Sequence, residues 1–161
     1  MTTAFKDLPA LIAAHARQRP DALAVVVGDE ALRYAAFDAA MDRVAATLQR
    51  HGAGPGQVIA LCAASSVAYL AVWGGALRAG LAVAPLAPGA TAAQLAGMAL
   101  DAGACLVFMD QAVAGQHVPW PAAAQVVMLD DSEPPPVNCD ADADGIAPPK
   151  TSTTLGAWLL P

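Results

Sequence analysis

The sequence predicts an α/β domain built on a mainly parallel sheet with helices on both faces. Two observations carry this. Short apolar runs such as Val58–Cys62, Leu81–Leu86, Cys105–Asp110 and Gln125–Leu129 read as strands, and two of them are separated by segments with helical periodicity. The runs are apolar almost throughout rather than alternating, which suits strands covered on both sides.

The elements follow in order. Asp7 is placed to cap a first helix with Pro9 in its opening turn, where a missing N–H costs nothing, and Leu11, Ile12 and His15 share its inner face. Leu23–Gly28 and Ala31–Tyr34 flank a Gly-Asp-Glu turn and read as a hairpin. Phe37, Met41, Val44 and Leu48 recur at helical spacing, with Asp38, Asp42, Arg43 and Arg50 expected outward. Gly52 ends that helix. The next runs from about Ser66, its cap, to Arg78 and stops at Gly80. Thr91 and Gln94 form a capping box for a helix that reaches Asp101 and ends at Gly103. The boundary between an α/β unit over 1–129 and a linker and tail over 130–161 is set by composition, because the chain after Leu129 becomes rich in proline and aspartate.

Composition narrows the function. The 161 residues carry a net charge of −6 with 57% hydrophobic and 14% charged residues, which does not provide the clustered basic surface of a nucleic-acid binder. Cys62, Cys105 and Cys139 are an odd, widely spaced set, and they suit free thiols in a reducing, cytoplasmic setting. No leader pattern opens the sequence. Val58 to Leu77 is uncharged over about 20 residues, a membrane-span length, but Ser65-Ser66 read as the turn and cap between a buried strand and a packed helix, and Gly74-Gly75 weaken a lipid-facing helix.

Four candidate chemistries can be weighed on spacing. Asp140, Asp142 and Asp144 followed by Gly145 match the first half of a calcium loop, but Thr151 stands where its closing glutamate belongs, so a solvated acidic loop is expected. Gly52 and Gly54 form G-x-G after a helix rather than after a strand, and read as a turn. His15, His51 and His117 stand apart; His15 is expected packed and hydrogen-bonded. Lys150, Thr151, Ser152, Thr153, Thr154 and Gly156 have the residue types of a phosphate loop, but with a single glycine.

The order of segments resembles the start of the adenylate-forming superfamily: acyl- and aryl-CoA ligases, luciferases and the adenylation domains of peptide synthetases. RPDALAVV, LRY with Phe37, DRVAATLQRHGAGPGQVIAL, LAVWGGALRAGLAVAPLAP and AAQLAGMALDAGACLVFMD are similar to successive family blocks, in register from Leu11 to Asp110. Gln57, Ser65 and Ala87 depart from the usual residues at turns.

The resemblance implies an N-terminal subdomain of an AMP-forming acid–CoA ligase or relative, which activates a carboxylic acid with ATP and magnesium and passes it to coenzyme A or another thiol. KTSTTLG lies near the place of the family's phosphate loop, T-S-G-T-T-G-x-P-K-G, but lacks its central glycine and its P-K-G. It therefore reads as a remnant. The family's adenine site, magnesium-binding glutamate, ribose-binding aspartate and catalytic lysine have no counterpart in this sequence, so no catalytic residue is expected and the chain alone should be inactive. The expected partners are the remainder of such an enzyme or a second copy of the chain. The alternatives are a free-standing, non-catalytic interaction module with this fold and an unrelated small α/β protein. Limited proteolysis is expected to cut first within 130–161 and leave a resistant core ending near Leu129; first cuts between Val58 and Leu77 would overturn that boundary.

Overall fold

The computed structural model describes residues 7–129 and the backbone of residues 153–154. Helix α1 (Leu8–Gln18) starts where Asp7 Oδ1 accepts from the Ala10 amide at 2.8 Å, with proline in the first turn. Strands β1 (Leu23–Val27) and β2 (Glu30–Arg33) form an antiparallel hairpin that turns at Gly28, φ +57°. The register slips between Leu23 and Val25. Leu23 opposes Arg33 and Val26 opposes Ala31, so this bulge puts Leu23 and Val26 on one outer face. Both are exposed, at 60% and 62%.

Tyr34 belongs to helix α2 (Tyr34–Arg50), not to the hairpin. Arg33 supplies no side-chain cap; the Tyr34 and Ala35 amides donate instead to the Ala22 and Pro20 carbonyls. This backbone cap left no signature in the side chains. Phe37, Met41, Val44 and Leu48 are buried as their spacing predicts.

The central sheet is parallel. Strands β3 (Val58–Cys62), β4 (Ala82–Pro85), β5 (Ala104–Met109), β6 (Gln125–Met128) and β7 (Thr153–Thr154) lie in the order β4-β3-β5-β6-β7. Helix α3 (Val67–Arg78) joins β3 to β4, and helix α4 (Ala92–Asp101) joins β4 to β5 in the reverse direction along the sheet. Since crossovers keep one hand, the two helices fall on opposite faces. The side chains agree. Ile59 and Leu61 pack with Val44, Leu48, Val72 and Ala76, whereas Ala60 and Cys62 pack with Leu95, Ala99 and Val113. Thr91 and Gln94 make the capping box of α4. The apolar stretch from Val58 to Leu77 resolves into β3, a turn and α3, and among the described residues no helix is long and apolar enough to cross a membrane.

Two edge features were not expected. Thr153 and Thr154 pair in parallel with Val127 and Met128, extending the sheet by one short strand. At the other edge, the Ala82 amide donates to Gln57 and the Leu86 amide to Leu61. By alternation, Val83 and Pro85 face away from β3, so proline occupies an outward position on an edge strand, where its missing N–H breaks no ladder bond.

Helices α2 and α3 approach closely. A Cβ on Gly75 would lie 2.5 Å from Val44 Cβ, and one on Gly74 would lie 2.9 Å from Met41 Sδ. Beyond this contact, Arg78 ties three helices together. Its Nη1 donates to the Asp38 carbonyl at 2.9 Å and to Asp42 Oδ1 at 2.7 Å, and its Nη2 donates to Asp38 Oδ1 at 2.5 Å and to the Pro9 carbonyl at 3.4 Å. Burial alone would lower the guanidinium pKa, but the hydrogen bonds to Asp38 and Asp42 more than offset it and hold the charge. Asp38 and Arg43 are thus half-buried rather than turned to solvent, because α2 is flanked on more than one side.

One substitution should act with opposite signs at two glycines. Gly75→Ala is expected to destabilise the fold by about 1–3 kcal/mol through overpacking. Gly97→Ala, on α4 with nothing within 4 Å of the new methyl, should stabilise it by about 0.5–1 kcal/mol through helix propensity. Urea midpoints of the two variants against the parent check both signs.

Candidate functional site at the carboxyl edge of the sheet

In an open parallel sheet, ligand crevices form beyond the carboxyl ends of strands where the connection reverses direction. Here that point lies between β3 and β5, since β3 leads outward to β4 and the chain then crosses back to β5. The segment after β3 (Ala63 to Ser66) and Asp110 after β5 line it. Ser66 caps α3, its Oγ accepting from the Tyr69 amide at 3.0 Å, as its position ahead of the helix predicts.

Asp110 joins the two sides. Its Oδ1 accepts from the Val113 amide at 2.9 Å and caps the one-turn helix α5 (Gln111–Ala114), while its Oδ2 accepts from the Ala64 amide at 2.8 Å. Both carboxylate oxygens are therefore engaged by backbone amides, one from each side of the reversal. The sequence reading missed this role. Asp110 closes an apolar strand, and a contact 46 residues away along the chain has no local signal.

The neighbouring groups stay protonated. Cys62, the last residue of β3, is fully buried. Burial, with a smaller contribution from the Asp110 charge, pushes its thiol from an ordinary 9.0 up to about 11. Burial and then Cys62 raise the Tyr69 phenol. At neutral pH the group offers a thiol, a phenol and an occupied carboxylate, and it contains neither an activated nucleophile nor a free base. It can hold two loops in register.

The other sequence candidates are dispersed. His15 packs against Tyr34 with ring centroids 5.1 Å apart, but its buried Nδ1 has no hydrogen-bond partner, contrary to expectation. His51 forms the end cap of α2, and His117 is exposed with φ 52°. Cys105 is half-buried and donates to the Val58 carbonyl at 3.3 Å. Thr153 and Thr154 are placed at the sheet edge. Lys150, Thr151, Ser152 and Gly156, and the acidic Asp140, Asp142 and Asp144, lie outside the described residues. Among the described residues no three His, Cys, Asp or Glu side chains gather to hold a metal ion.

Fold and edge geometry together define an open parallel α/β domain whose reversal point is braced by backbone bonds. The particular family follows from comparison: the chain belongs to the AMP-binding enzymes, whose family pattern matches residues 12–155. Relatives include the dimodular nonribosomal peptide synthase of Bacillus subtilis (strain 168), 33% identical over 126 residues, covering 78% of this chain and 5% of the relative. The phosphinothricin tripeptide synthetase PhsB of Streptomyces viridochromogenes is 36% identical over 134 residues, covering 80% of this chain and 11% of that protein. The chain thus spans only a small part of the curated relatives it matches. Among solved structures, the AMPPNP-bound form of the nonribosomal peptide synthetase FmoA3 is 27% identical with a TM-score of 0.68, covering 75% of this chain and 13% of that one. The N-terminal domain of FACL13 from Mycobacterium tuberculosis shares the fold, with a TM-score of 0.72 at 22% identity, covering 86% and 40%. The chain thus has peptide-synthetase relatives in sequence, and its fold is that of the N-terminal subdomains of adenylate-forming enzymes.

Asp110→Asn should cost about 1–2 kcal/mol, because an amide group cannot accept from both backbone donors. It should also lower the Cys62 pKa, while burial keeps it above 9.0. The raised thiol fixes the sign for the parent: its stabilising contribution is complete below about pH 9 and lost as pH rises through about 11. Alkylation rates of Cys62 against pH, with Cys105 and Cys139 changed to alanine, and alkaline urea midpoints check these outcomes.

Proposed function

We propose that this chain is the structural N-terminal subdomain of an AMP-forming ligase that activates a carboxylic acid as its acyl-adenylate and transfers it to a thiol. The observation that carries this reading is the family match across residues 12–155. Within such an enzyme the chain contributes a supporting sheet rather than reacting side chains. Asp110, the carboxylate at the reversal point, is already held by two amides, and the KTSTTLG segment lacks the glycine and lysine pattern of a phosphate loop. ATP, magnesium and coenzyme A, or another acceptor thiol, belong to the complete enzyme. An acyl-CoA synthetase fits the overall pattern, while the peptide-synthetase relatives favour an amino acid as the activated carboxylate. The free thiols of Cys62 and Cys105 suit a cytoplasmic setting.

The test is ATP–pyrophosphate exchange by the purified chain with amino, fatty and aryl acids. No exchange above a no-enzyme control is expected, and clear exchange with any acid overturns the supporting role.

The partner in this reading is the rest of the enzyme or, in its absence, a second copy. The exposed Leu23 and Val26 on the hairpin favour association over a solitary monomer. Light scattering across a concentration series should show a dimer. A mass that stays at the monomer's 16.2 kDa at high concentration, with the chain still monomeric after deletion of Trp158 to Pro161, counts against it.

A further inference from the structure

We draw no further inference here: the strongest candidate, the outward apolar face of the β1–β2 hairpin formed by Leu23 and Val26, is an unpartnered surface for which nothing in the structure shows what covers it.

Discussion

The close contact between α2 and α3 is the constraint on which one whole side of the molecule depends. Gly74 and Gly75 leave no Cβ, so Met41 and Val44 settle directly against the α3 backbone. That depth lets Val44, Leu48, Val72 and Ala76 join Ile59 and Leu61 in one core. Arg78 then fixes the lateral position of the pair. Its planar guanidinium takes acceptors from α1 and α2 at once, which an ammonium group would not match in geometry. The side chains of Arg78 and Asp38 are only 16% and 24% exposed, so the ion pair is less screened than a surface pair.

The opposite face is built with fewer parts. Leu95 and Ala99 of α4, with Val113 of α5, cover Ala60, Cys62 and Val107. Small residues on β3 suit this shallow packing. The Asp110 brace sits where the two faces meet the carboxyl edge, and it couples the end of β5 to the segment that starts α3. Order at this edge therefore comes from backbone hydrogen bonds to a carboxylate. The same arrangement leaves the nearby thiol buried and protonated.

The legible parts of the sequence were those with local causes. The apolar runs of β3, β5 and β6, the period of α2, the Ser66 cap and the Thr91–Gln94 capping box all rest on residues within a few positions of one another. The illegible parts depend on distant contacts. Gly74-Gly75 reads locally as a weakness in a helix, and only the arrival of Met41 and Val44 makes it a docking face. Asp38 looks solvent-facing until Arg78 reaches it across 40 residues of chain. The start of α2 is hidden for a similar reason, since its amides use carbonyls rather than a capping side chain. For the candidate site, Ser66 was readable as a cap and Asp110 was not. The phosphate-loop candidate came from residue types and from its place in the family order, and only Thr153 and Thr154 of that segment fall within the described residues.

Pro85 gives the sheet a direction. On the outer side of β4 it sits at the position where a further strand would look for a donor, leaving Val83 as the amide supplier on that margin. A neighbouring chain that met this border would find the Val83 amide but no donor at position 85, so its ladder would lack a bond there. Lateral growth is disfavoured there: the β4 border behaves as a selvedge, a finished margin.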